Sequence, residues 1–294
     1  MDDNEQQQQH GLDTCRNEPQ KVQNIVKEAI LNCDYRLIDT AWIYQNEHEV
    51  GNGIHEAIEQ SQGQTKREDL FITTKLWNQH HTPEEVEWAL RDSLKKLHEK
   101  TRYFAENVTL RDTWKAIENL VDLKLTRSIG ISNFNESEIK EILKIARIKP
   151  TVHQIELHPY CNQHNMHQYC IKHNISIISY CPLSNLKREN EHDEDVSALY
   201  NPIIQEIAKS KHKTTAQIIL RWHLQNGLIV IPETTTSEKL IEYSDLFDFA
   251  LCDHEMCQID QLGDTNRRRI ASPLFRPPNN KPILMVEYEN YYHM

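Results

Sequence analysis

The stretch Tyr35–Gly51, YRLIDTAWIYQNEHEVG, decides how the chain folds. Tyr35–Thr40 reads as a strand, and from Glu47 to Gln60 the pattern turns polar and helical. Asp39 follows directly on an apolar pair and Tyr44 comes five residues later, at the handover between the two. Taken alone, an acid and a phenol at such a junction cap the helix and pack against it. They gain weight because the same handover recurs along the chain.

Working outward, Leu70–Leu76 (LFITTKL) reads as a strand. A helix is expected over Pro83–His98, with Thr82 as its N-cap and Pro83 at its first position. Arg127–Ile131 is a strand followed by the helix Glu136–Ala146. Thr151–Leu157 precedes a helix near Met166–His173. Ile175–Tyr180, paired helices over 202–211 and 215–226, and Leu228–Pro232 continue the series, with Gly227 where a helix C′ glycine belongs. Repeated β-α units imply a parallel sheet covered by helices. The chain has no G-x-G-x-x-G and no G-x-x-x-x-G-K-[ST], which counts against an open dinucleotide or P-loop sheet. The expectation is therefore an α/β fold, a (β/α)8 TIM barrel, with its chemistry at the C-terminal ends of the strands.

The series breaks twice. Between helices 83–98 and 111–122, TRYFAENVTL offers only a short candidate strand around Arg102–Ala105. Before the helix Pro19–Asn32, only HGLDTC stands where a first strand belongs. Strands 1 and 4 are thus expected to be truncated or missing. The barrel is expected over residues 10–275, after a disordered polar tail at 1–9 and before a C-terminal loop or tail at 276–294.

Composition narrows the function. No run of 18 apolar residues exists to span a bilayer, and MDDNEQQQQHG lacks the basic and apolar regions of a secretory signal. Seven cysteines, odd in number and without a C-x-x-C pair, suit reduced thiols in the cytoplasm. A net charge of −11 argues against nucleic acid or an anionic membrane as partner. At the strand ends, Asp39, Tyr44, Lys75, Ser132, Asn133, Gln154 and Tyr180 all belong at one mouth of the barrel. Singly, Lys75 reads as a surface lysine, Ser132-Asn133 as a helix cap and Gln154 as a satisfied interior amide. Their joint placement favours a site.

At these residues the sequence resembles the aldo-keto reductase family. DYRLIDTAWIYQNEHEVGNGI (34–54) is similar to the family's first signature, and FITTKLWNQHHTPEEVEWALRDSLKKL (71–97) to its lysine strand and following helix. SIGISNF, HQIELHPYCNQ, ISIISYCPL and AQIILRWHLQNGLIVIP match later blocks in order. The resemblance implies NADPH extended across the barrel mouth, reducing a small carbonyl compound by direct hydride transfer. It implies that Tyr44 is the general acid, that Lys75 lowers the phenol's pKa, and that Asp39 holds the lysine charged and oriented. Ser132, Asn133 and Gln154 would hold the nicotinamide carboxamide and Tyr180 would stack on its ring. Thr234, Lys239 and Glu242 would lie along the adenosine end. A monomer is expected from the resemblance.

The chain departs from the family pattern in two places. The fourth strand, which carries a histidine that orients the substrate carbonyl, is absent from SLKKLHEKTRYFAENVTLRDTW. His98 belongs to the end of the preceding helix, and His80 and His81 to a loop, so three of four catalytic groups remain. In IPETTTSEKLIEY, Glu233 occupies the position of a lysine near the 2′-phosphate and Lys239 that of an arginine. An acid there repels the phosphate but accepts from a free ribose hydroxyl, so NADH becomes an alternative cofactor. The alternative function is a catalytically silent barrel that binds a nucleotide or a regulatory partner. Cys161, His164, His167 and Cys170 recur every three residues, but a family block and a helix already account for them, and no metal is expected.

Overall fold

The protein is described here by a computed structural model covering residues 9–15, 17–76, 82–96, 109–184, 197–265 and 283–285. Strand β1 (Gly11–Asp13) forms from HGLDTC as a truncated first strand of three residues, with Leu12 fully buried beneath the first helix layer. Helix α1 (Pro19–Asn32) starts on a proline, which needs no N–H in the first turn. Strand β2 (Leu37–Asp39) leads into a single 3-10 turn, Trp42–Tyr44, closed by Gln45 in the left-handed region at φ 55°. Helix α2 (Glu47–Gln60) then begins with Glu47 and Glu49 in its first turn, favourable against the helix dipole.

Strand β3 (Phe71–Thr73) precedes α3 (Pro83–Lys96), where Thr82 Oγ1 accepts from the Glu85 amide at 3.2 Å as an N-cap should. The C-terminal end expected for this helix, together with His98 and the candidate strand near 102–105, lies outside the described residues. Helix α4 (Leu110–Asp122) is capped by Thr109. Strand β4 (Gly130–Ser132) begins three residues later than expected. Thr126 Oγ1 donates to the Ser128 carbonyl, so 126–128 form a turn rather than ladder. Then follow α5 (Glu136–Ile145) with an Asn135/Glu138 capping box, β5 (Val152–Glu156), α6 (His164–Lys172) and β6 (Ser176–Tyr180). Helices α7 (Pro202–Lys211) and α8 (Thr215–Gln225) lead to Gly227, at φ +71°, and β7 (Ile229–Val230). The chain adds α9 (Ser237–Ser244), α10 (Asp253–Asp260) and the short α11 (Leu262–Thr265), then β8 (Ile283–Met285). That last strand lies within 276–294, the stretch expected as a C-terminal loop or tail, of which only 283–285 are among the described residues.

Strands β1 to β3 pair in parallel in the order β1-β2-β3, and the second sheet runs β7-β6-β5-β4-β8. Parallel bridges His10–Val230 and Asp13–Glu233 join β1 to β7. The staves therefore run continuously from β3 through β1 and β7 round to β4. The barrel is of the (β/α)8 type, and among the described residues its staves leave a seam between β3 and β4. Among the described residues nothing pairs with the outer edge of β3, whereas β4 receives β8 in antiparallel register.

Alternation along the strands sends Ile38 outward, against Val22, Val26, Val50 and Ile54 of α1 and α2. Leu37, Ile178, Tyr180 and Ile231 form a separate cluster inside the barrel. The two helices approach closely: a Cβ on Gly53 would stand 2.5 Å from the Gln23 carbonyl oxygen. The larger core runs under α3 to α8 and contains Trp114, Ile131, Ile218 and Trp222. Parallel register then fixes the polar pole, with Asp39 opposite Thr73 and Ser132 opposite Gln154.

Candidate active site

The strand-end residues form one connected set. Lys75, just beyond β3, is 2% exposed, and its Nζ donates to Asp39 Oδ2 and to Tyr44 Oη at 2.5 Å each. The ammonium also lies 4.7 Å from the centre of the Tyr44 ring. Asp39 is fully buried at the end of β2, and its other oxygen accepts from Thr73 Oγ1 and, at 3.0 Å, from Gln154 Nε2. Three donors converge on this buried carboxylate, which fixes the ammonium beside the phenol. Tyr44 is only half-buried, so its hydroxyl lies where a small molecule in the mouth could reach it.

The rest of the set hangs from Gln154 on β5. Its backbone carbonyl accepts from Ser132 Oγ and from the Asn133 amide, both at 3.0 Å. Asn133 sits at φ +56°, a left-handed turn that asparagine tolerates better than most residues. Its Oδ1 accepts from the Tyr180 hydroxyl at 3.0 Å. His153, fully buried, accepts from the Phe134 amide through Nε2 at 3.1 Å and so holds the residue next to Asn133. Burial pushes this imidazole down to about 3, so it is neutral in the fold, as an acceptor nitrogen must be. All seven residues expected at one mouth are thus brought together.

The adenosine-end residues are arranged otherwise. Thr234 is buried after β7 and its hydroxyl caps the Thr236 amide at 3.2 Å. Lys239 Nζ pairs with Glu242 at 2.6 Å, and Glu242 also accepts from Thr214 Oγ1. Lys239 is therefore already neutralised within its own helix. Glu233 lies close enough to Tyr243 to help burial push that phenol up to about 12.

Sequence reasoning missed a second polar cluster beside Tyr44. Trp42 Nε1 donates to Asp92 Oδ2 at 3.0 Å, and Lys96 pairs with the same carboxylate while standing 4.6 Å over the Trp42 ring. Glu47, 2% exposed, accepts from Thr74 Oγ1 at 2.6 Å, and burial raises its pKa. Asp92 and Lys96 do sit four apart on α3, a spacing that signals an ion pair, but nothing local points from them to Trp42. Cys170 turns its sulfur to His153 Nδ1 at 3.6 Å, and Cys161 turns to the Glu156 carbonyl. Among the described residues no three metal-ligating side chains converge. Likewise, no helix there is long and apolar enough to cross a membrane. His80, His81 and His98 lie outside the described residues.

Comparisons with known proteins were made on the whole chain. The model of the "Aldo/keto reductase family" matches residues 8–264. Aldo-keto reductase family 1 member A1-A of Danio rerio is 36% identical over 87% of this chain and 86% of the relative. Family 1 member A1 of Xenopus tropicalis is 38% identical over 86% and 84%. Among solved structures, a Bombyx mori aldo-keto reductase in complex with NADP superposes with a TM-score of 0.79 at 32% identity, covering 89% of this chain and 90% of that one.

Proposed function

The chain belongs to the aldo/keto reductase family, and from that premise we propose that it reduces small aldehydes or ketones to alcohols with a reduced nicotinamide cofactor. The observation that carries this reading is the lysine held between a buried carboxylate and a half-exposed phenol. The donor set suits a nicotinamide carboxamide. Gln154 spends its amide N–H on Asp39 and retains Oε1 as an acceptor, while Asn133 spends Oδ1 on Tyr180 and retains its amide donors. One acceptor and one donor pair match the two ends of a carboxamide. NADP(H), as in the silkworm structure, is the cofactor this pole would hold, and when bound it supplies the hydride.

The chain's own part is proton delivery. The Tyr44 hydroxyl donates its proton to the carbonyl oxygen as negative charge builds there. The Lys75 ammonium stabilises the phenolate left behind, and Asp39 keeps that ammonium protonated and aimed. Ser132, Asn133 and Gln154 orient the carboxamide, and Tyr180, 6% exposed, offers a ring face beside it. The sequence has no fourth-strand histidine to orient the substrate oxygen, so substrate positioning rests on fewer contacts and turnover is lowered.

At the adenosine end, Glu233 and the Lys239–Glu242 pair leave little positive charge for a 2′-phosphate, so selectivity shifts towards NADH. Seven cysteines, odd in number and without a C-x-x-C pair, favour a cytoplasmic protein, and we take it to act as a monomer. The test is absorbance of the reduced cofactor during reduction of a generic aldehyde, with wild type beside Tyr44→Phe. The variant is expected to lose at least about a hundredfold in kcat, within the usual range for a general acid. Equal rates for the two proteins would remove the enzyme reading and favour a silent barrel.

A further inference from the structure

Tyr44 sits on a slender support. The 3-10 turn Trp42–Tyr44 is three residues long, and none of the three is buried. Its backbone is closed by the Tyr44 amide on the Ala41 carbonyl at 3.0 Å and by the Gln45 amide on the Trp42 carbonyl at 3.3 Å. A single turn of this kind has poorer hydrogen-bond geometry than an α-helix. Lys75, which meets the Tyr44 hydroxyl, likewise lies past the end of β3. The two groups therefore meet between irregular segments, whereas a reacting side chain must be held to within about 0.5 Å of its working place.

Side chains on both sides of Tyr44 supply what the turn lacks. Two residues before it, Trp42 Nε1 donates to Asp92 Oδ2 at 3.0 Å. The Lys96 ammonium pairs with the same carboxylate and stands 4.6 Å from the centre of the Trp42 ring. Three residues after Tyr44, Glu47 accepts from Thr74 Oγ1 at 2.6 Å, and Thr74 is the neighbour of Lys75 in the chain. The Glu47–Thr74 bond thus joins the same two segments as the Tyr44–Lys75 bond. Ser93, Lys96 and Asp92, all buried on α3, lie near enough to act on the Glu47 carboxyl as well. A buried ion pair is weak evidence of stabilisation, because desolvation offsets its attraction. The pair that α3 keeps buried faces the turn that carries Tyr44.

We propose that Glu47 and the Asp92–Lys96 pair are positioning residues for Tyr44. They hold its turn from two sides, one against the exit of β3 and the other against α3, so that the phenol stays on the Lys75 ammonium. They act through Thr74 and Trp42 rather than at the reacting atoms. The proposal rests on the reading of Tyr44 as the proton donor. It separates two parts of the site, because Ser132, Asn133, Gln154 and Tyr180 belong to β4, β5 and β6 and do not depend on this brace. Loosening the turn should therefore slow proton delivery and spare cofactor binding.

The experiment uses the full chain with a generic aldehyde and a reduced nicotinamide cofactor, and Tyr44→Phe is the reference. Asp92→Ala and Glu47→Ala each remove one hold. Each is expected to lower kcat at least about tenfold while cofactor Kd stays within about twofold of wild type. Asp92→Asn keeps an acceptor for the indole N–H, and Glu47→Gln keeps one for Thr74 Oγ1, so each should recover most of that loss. The alkaline limb of kcat, where the proton donor is lost, should move to higher pH in the alanine variants as the phenol leaves the ammonium. Arg91→Ala, on the exposed side of α3 where it pairs with Glu87, should leave kcat unchanged. Should an alanine variant fail to fold, Trp42→Phe keeps the ring, removes only the N–H donor and is read in the same way. Equal rates for wild type and Tyr44→Phe would remove the enzyme reading and this proposal with it. A loss in Tyr44→Phe beside unchanged kcat in Asp92→Ala, Glu47→Ala and Trp42→Phe would overturn this proposal alone. So would a fall in kcat with the alkaline limb unmoved and no recovery in the asparagine and glutamine variants.

Discussion

Acidification from pH 7 to pH 5 should weaken the fold through histidines buried in neutral form. His153 and His10 are each pushed down to about 3 by burial, and His223 to about 4. His10 lies against the Tyr35 ring with an unpartnered Nε2, and His153 uses Nε2 to accept the Phe134 amide, so neither can take a proton without loss. The sign follows from linkage. Each folded pKa lies below the unfolded value, so the unfolded chain binds more protons, and stability present above about pH 6.5 is lost as pH falls. For an unfolded pKa of about 6.5 and a folded one below 5, each histidine contributes a loss of about 2 kcal/mol between pH 7 and pH 5. Three give about 6 kcal/mol, a large share of the roughly 5–15 kcal/mol that holds a typical domain. Urea unfolding followed by circular dichroism at the two pH values measures it. Glu47, whose pKa burial raises, acts in the opposite sense, so the decisive quantity is a difference between proteins. His153→Gln keeps an acceptor for the Phe134 amide and removes the titration; its loss between pH 7 and pH 5 should be smaller by about 2 kcal/mol. Identical losses in variant and wild type would refute the reasoning.

Asp39→Asn strands the Lys75 ammonium without its anion in a site 2% exposed, and about 3–5 kcal/mol of stability should go with it, read by thermal melting alongside the loss of reductase turnover. Glu233→Lys restores positive charge at the adenosine end and should raise the ratio of NADPH to NADH affinity about tenfold, one unit of about 1.4 kcal/mol, in a fluorescence titration of both cofactors; an unchanged ratio removes the argument for NADH. Gly130→Ala would bring a Cβ to 2.5 Å of Val152 Cγ2 and 2.8 Å of the Val152 carbonyl oxygen, so β4 and β5 must part, at a cost of about 1–3 kcal/mol in denaturant unfolding.

The residues of the candidate site were legible because their positions follow from local rules. Parallel strands point the same way, and side chains alternate, so an aspartate after Leu37-Ile38 and a lysine after Ile72-Thr73 must emerge at the same end. Ser132 closes β4 whereas Gln154 lies within β5, and it is the parallel register that sets the two side by side. The sequence could not show that Gln154 reaches across to Asp39, a partner 115 residues away, because the identity of that neighbour depends on barrel closure through the β1–β7 bridges. The link from Trp42 to Asp92 was hidden for the same reason, spanning 50 residues and a change of layer. Strand β8 was the hardest to foresee. Three apolar residues carry no alternation to announce a strand, and antiparallel pairing places it where no β-α series would. What makes it intelligible is the edge of β4 on which it lies. An open strand edge carries unpaired backbone groups, and a short apolar segment that reaches β4 gains ladder bonds there.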